Sequence, residues 1–173
     1  GRRTGIVLGI HVIHTRFDKG LAFSPSTGVG GSVSFRPVAA MVLGVSVTQS
    51  STETLYDAVG STAALSGSVL QGEIWARYPL WTPGAAFSVF AEAGAGLAFL
   101  ATEARAIALG ALGTRTLPSR NETRPVVVSG IPLQLHAGPR LDFEVTPGVS
   151  WVLGPSGPFT DYSVRGGLGL AIY

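Results

Sequence analysis

Hydrophobic and polar residues alternate with period two along most of this chain. The longest such run is Ile131 to Glu144, fourteen positions without a break. Ile131, Leu133, Leu135, Ala137, Pro139, Leu141 and Phe143 share one face; Pro132, Gln134, His136, Gly138, Arg140, Asp142 and Glu144 share the other. Successive side chains of a strand point to opposite sides, so the run predicts one long strand with an oily face and a charged face. Soluble strands average about 5 to 6 residues, whereas a tilted strand needs about 9 to 11 to cross a bilayer.

Eight segments of this kind are predicted: Gly5 to Phe17, Val29 to Arg36, Met41 to Thr48, Ser66 to Leu80, Phe87 to Ala101, Val126 to Glu144, Val149 to Gly154 and Tyr162 to Tyr173. Repeats of two this long exclude amphipathic helices, whose period is 3.6. Pro37 to Ala40, Trp81 to Ala85 and Val145 to Gly148 read as tight turns, with Pro and Gly where turn geometry favours them. The remaining connections are longer and polar: Asp18 to Gly28, Gln49 to Leu65, Thr102 to Pro125 and Pro155 to Asp161. Short turns at one end and long loops at the other give the sidedness of a membrane barrel.

Alternation does not say which face is outside; composition does. Charged residues are 13% of the 173, about half of the roughly 25% usual in soluble domains. Lys19 is the only lysine, and the polar faces are built largely of Gly, Ser and Ala. Such faces make a poor solvated surface but fit the inside of an eight-stranded barrel, which side chains just fill. Their charges also match in kind: Arg36, Arg77, Arg140 and Arg165 against Glu73, Glu92, Asp142 and Glu144. Burying an ion costs several kcal/mol, so interior charges have to be paired. The oily faces are therefore expected to meet lipid. Phe35, Tyr78, Phe87, Phe143 and Trp151 fall near the predicted short turns and Phe99 near the long loops, as two interfacial girdles require.

The hairpins Gly28 to Val47 and Leu141 to Leu153, with the C-terminal Val164 to Tyr173, make the chain resemble the small eight-stranded outer-membrane barrels of Gram-negative bacteria, the OmpA/OmpX type. The resemblance implies an all-β, antiparallel up-and-down transmembrane barrel spanning residues 1–173 as one domain. It also implies outer-membrane residence, an export signal outside this chain, and a terminal aromatic read by the barrel-insertion machinery. Tyr173 stands at that place, though with parity opposite to Leu168, Leu170 and Ile172.

Candidate chemistry changes this picture little. A turn centred between Thr82 and Pro83 would set Glu73 directly opposite Glu92 and Trp75 opposite Phe90. Two facing carboxylates need a proton or a shared arginine, and Arg77, Arg140 or Arg36 is the expected clasp. A glycosidase reading of the pair needs a cleft that a filled barrel lacks. His11, His14 and His136 are spread over strands that are not neighbours, so no metal or other cofactor is expected. No His-x-Ser and no Gly-x-Ser-x-Gly occurs, so no catalytic residue is assigned and no enzyme is expected. A net charge of +2 with scattered arginines gives no nucleic-acid footprint.

The expectation is an envelope barrel with a structural or surface-interaction role and a lumen plugged by charges. Its partners would be membrane lipid and a protein or other surface at the loops. Thr102 to Pro125, the longest loop, supplies the candidate contacts Arg105, Arg115, Arg120 and Arg124. A narrow channel for small solutes is the alternative, and a soluble lipocalin-like carrier a more distant one.

Overall fold

The computed structural model describes residues 5–19, 23–38, 41–58, 61–108 and 113–172. Its strands, in chain order, are β1 (Ile6–Arg16), β2 (Ser26–Val38), β3 (Met41–Ala58), β4 (Ser61–Trp81), β5 (Phe87–Thr102), β6 (Arg105–Ala108), β7 (Thr114–Leu117), β8 (Arg120–Gly130), β9 (Leu133–His136), β10 (Leu141–Gly154) and β11 (Gly157–Ile172). Pairing is antiparallel throughout. β8 and β9 are two halves of one wall strand, each lying between β5 and β10. Counted so, eight wall strands follow one another in chain order. β1 then pairs with β11 from Ile6↔Ile172 to Arg16↔Tyr162 and closes the ring, which leaves the wall without a free edge at its middle.

The oily faces point outward. On β1, Ile6, Leu8, Ile10 and Val12 are between 44% and 67% exposed, while His11 between them is 8% exposed. The same split holds on β11, where Leu168, Leu170 and Ile172 are exposed and Arg165 is buried. The interior mixes charge with large apolar groups, among them Trp75, Phe90, Val126 and Val128. Gly44 is required opposite Trp75: a Cβ there would collide with the indole ring.

Five expectations of strand, turn and register are corrected. Ile131 to Glu144 is not one strand: β9 ends at His136, residues 137–140 turn, and β10 begins at Leu141. Gly138 sits in that turn at φ 100°, a conformation that residues with a Cβ resist. The expected turn at Val145 to Gly148 lies inside β10. The missing amide of Pro147 is tolerated there because β8 and β9 are interrupted opposite it, where the Ile131 N–H donates to the Pro147 carbonyl at 3.0 Å.

The β4–β5 register is also different. Residues 82–86 form the turn and a bulge lies between Pro79 and Trp81, so Glu73 pairs with Gly96, Trp75 with Gly94, and Arg77 with Glu92. Finally, most of the predicted loop Gln49 to Leu65 is strand, because β3 and β4 stay paired out to Ala58 and Ser61. Pro155 to Asp161 is no long loop: Pro155 and Ser156 make a tight turn between β10 and β11. The barrel therefore has a tall wall on the side of β3, β4 and β5 and a low rim at β10 and β11. Tyr173 lies outside the described residues.

Candidate functional site

At mid-height the lumen is crossed by five charged side chains from four wall strands. The Glu92 carboxylate on β5 accepts from Arg77 Nε of β4 at 2.6 Å and from Arg165 Nη2 of β11 at 2.8 and 2.9 Å. Arg77 grips Glu144 of β10 with both terminal nitrogens, at 2.5 and 2.7 Å. Arg165 Nη1 also reaches Glu73 at 3.3 Å. Three carboxylates thus share two guanidiniums. Neutral donors solvate the surplus negative charge: Ser46 Oγ at 2.8 Å and Gln71 Nε2 at 3.0 Å from Glu73, and Thr146 Oγ1 at 2.9 Å from Glu144. The Arg77 guanidinium also lies 4.2 Å from the centre of the Trp75 ring, a cation–π contact between two buried side chains. Paired, fork-shaped bonds of this kind are the strong ones, and they fix geometry as well as charge.

A second, linear network lies toward the short-turn end. Ser88 Oγ is 3.2 Å from His136 Nε2, His136 Nδ1 is 2.6 Å from Asp142 Oδ1, and Gln134 Nε2 donates to Asp142 Oδ2 at 2.9 Å. The order of groups is that of a hydrolase triad, yet Ser88 is 0% exposed, so no acyl group reaches its oxygen in this arrangement. At the middle of β1, His11 Nε2 is 2.9 Å from Thr48 Oγ1. Among the described residues, no group of three or more His, Cys, Asp or Glu could hold a metal ion.

Two small cavities flank the charge layer. One of about 60 Å³ lies above it, beside Thr48, Gln71 and Thr146; one of about 70 Å³ lies below, beside Ser34, Arg36 and Asp142. Arg165 borders both. At about 30 Å³ per water molecule, each has room for only a few waters.

Of the eight residues expected in one interior network, Glu73, Arg77, Glu92, Glu144 and Arg165 meet directly. Asp142 belongs to the serine–histidine chain instead, and Arg36 faces the lower cavity. Arg140 is a correction. It is exposed in the β9–β10 turn, because the strand meant to carry it inward ends before it. Among the aromatics, Phe35, Tyr78, Phe87 and Phe143 lie toward the short-turn end of their strands and Phe99 toward the other. Trp151 is again a correction: with β10 starting at Leu141, it sits three residues from the opposite end, at Gly154. Sequence reading passed over Tyr162 and Trp81, each 59% exposed, which also belong to the outward aromatic set.

Arg105 and Arg115 are exposed on the β6–β7 hairpin and Arg120 at the start of β8. Arg105 Nη1 donates to the Ala64 carbonyl at 2.5 Å and so ties the base of the β6–β7 hairpin to β4. Arg120 and Arg124 both bind Glu122, at 2.5 and 2.5 Å. Burial would raise the Glu122 carboxyl, but hydrogen bonds from these two arginines outweigh it and hold the group below its ordinary value. Arg124 is a poor surface contact: only 11% of its side chain is exposed, and it folds over the Phe159 ring at 5.1 Å.

A closed antiparallel ring with an oily exterior and a charge-filled interior has known counterparts. OprG of Pseudomonas aeruginosa, an outer-membrane protein, superposes with a TM-score of 0.66 at 7% identity, covering 98% of this chain and 96% of its own. Neisserial surface protein A superposes at 0.60, with 14% identity and 95% and 96% coverage. A major outer-membrane protein of Thermus thermophilus gives 0.59, with 11% identity and 96% and 99% coverage. The chain has the fold of the small outer-membrane β-barrels. No protein-family model matches the sequence, and no curated protein matches it either. At identities this low the likeness carries architecture alone. Whatever this barrel does has to be read from its own residues.

Proposed function

We propose that this barrel is a structural and surface-interaction protein of the outer membrane of a Gram-negative bacterium. It would hold a tall extracellular wall above a lumen closed to solutes. The observation that carries the reading is the clasp of Arg77 and Arg165 on Glu73, Glu92 and Glu144, which spans the lumen from β3's neighbour β4 to β11. Opening a path through it would strip partners from buried ions, at several kcal/mol for each. Such a layer suits a scaffold better than a conduit, and no enzymatic role is assigned.

The contact surface of this proposal is carried by Arg105, Arg115 and Arg120, with Arg124 turned away onto Phe159. β10 pairs with β8 only as far as Val152↔Val126. Above that point β8 continues to Arg120 beside β5 alone, so its other edge presents backbone donors and acceptors to an added strand. Deleting residues 108–120 should abolish binding to whole-cell or matrix partners while barrel insertion persists. Full binding by the deletion protein would reject the site.

A narrow channel is the second reading, favoured by the two cavities that meet at Arg165. Planar-bilayer recordings separate it from the first: silence accords with the scaffold, sustained single-channel steps with transport.

A further inference from the structure

The outward face changes chemistry abruptly across five neighbouring strands. One cross-strand row reads Val29, Gln49, Leu70, Phe99 and Thr123. In the next row up, Ser51 pairs with Ser68, Ser68 with Ala101, and Ala101 with Asn121. One row higher, Glu53 pairs with Ser66. Together with Glu103 these rows line an open groove of about 980 Å³ on the tall wall. Small hydroxyls have replaced the apolar belt, and the rows hold carboxylates but no cation. Neither Glu53 nor Glu103 makes a side-chain hydrogen bond or ion pair among the described residues.

We propose that this groove is a binding site for the sugar headgroup of a glycolipid in the surrounding leaflet. Position names the source. The hydroxyl rows are continuous with the lipid-facing belt and begin immediately above Leu70 and Phe99, at the level where headgroups replace acyl chains. Chemistry names the class. Serine, asparagine and carboxylate groups donate to and accept from vicinal sugar hydroxyls. Phosphates, by contrast, are recognised by Arg and Lys, and two uncompensated carboxylates repel them. Phe99 beneath the rows offers an apolar floor for a sugar ring or the first methylenes. The inference depends on the membrane placement of the barrel, not on whether its lumen conducts.

The test uses the full chain in nanodiscs of phosphatidylcholine doped with equal amounts of a neutral glycosyl diacylglycerol and phosphatidylglycerol. Lipids retained on mild extraction are counted by native mass spectrometry. The glycosyl lipid should be enriched about tenfold over phosphatidylcholine, the effect of one or two net hydrogen bonds. Ser51→Val/Ser68→Val/Asn121→Leu should remove most of that enrichment. Glu53→Gln/Glu103→Gln, which leaves the outward faces of the strands their size, should reduce it and guards against a folding defect in the first variant. Enrichment of phosphatidylglycerol instead, equal retention of all three lipids, or undiminished enrichment in both variants would overturn the proposal. So would equally strong binding of a free methyl glycoside in detergent, since the site would then serve soluble sugar.

Discussion

Arg165 places one nitrogen 2.8 and 2.9 Å from the two carboxylate oxygens of Glu92, across the lumen from β11 to β5. No sequence-local rule brings these residues together; only closure of the ring does. Glu92→Leu takes one carboxylate from both Arg77 and Arg165, which keep Glu144 and Glu73 as partners, and the hydrogen bonds left unmade should lower stability by about 1–3 kcal/mol. The double variant Glu92→Leu/Arg165→Met should recover part of that loss, with a coupling of about 0.5–3 kcal/mol. Urea unfolding in lipid vesicles measures both. Additive losses would mean that the pair is not coupled.

The outward belt predicts a different cost. Ile10 is 67% exposed at the middle of β1 and faces lipid in this account. Ile10→Arg should destabilise the barrel by about 2–4 kcal/mol, the penalty for a cation near the bilayer midplane. A variant as stable as the parent would place that face in water.

The β9–β10 turn is tested by insertion. Gly138→Val should cost about 1–2 kcal/mol because of the left-handed backbone, and Gly138→Asn much less. A four-residue insertion after Pro139 should still give a folded barrel, whereas one after Thr146 interrupts β10 and should not. Heat-modifiable mobility in gels reads out folding. The reverse pattern would restore the turn to Val145–Gly148.

The buried Ser88–His136–Asp142 chain predicts a negative result of definite form. A fluorophosphonate probe should leave Ser88 unlabelled in the folded protein, because the hydroxyl has no exposed surface. Stoichiometric labelling at Ser88, lost in His136→Ala, would reveal a hydrolase.

Facing was legible in the sequence because parity survives every error of boundary. Leu133, Leu135, Leu141 and Phe143 are outward whether or not a turn separates them. That same invariance hid the turn. In the β9–β10 hairpin Leu135 pairs with Phe143 and His136 with Asp142, so paired residues have like parity and the alternation passes through the turn in phase. Gly138–Pro139 was the available signal, and Pro147–Gly148 the misleading one. The register of β4 on β5 was set by a turn centred about two residues later than between Thr82 and Pro83, with a one-residue bulge between Pro79 and Trp81, and periodicity announces neither, which is why Glu73 and Glu92 were expected face to face. Which arginine meets which carboxylate was then beyond reach. Arg77 and Glu92 are cross-strand neighbours by that register, and Arg165 arrives only through ring closure.

In the proposed function the charge layer closes the lumen. Single-channel recording of the purified barrel in planar bilayers tests it most directly. The parent protein should leave the membrane silent, with conductance appearing only when the clasp is broken, as in Glu92→Leu. Sustained conductance steps from the parent protein at low voltage would contradict it.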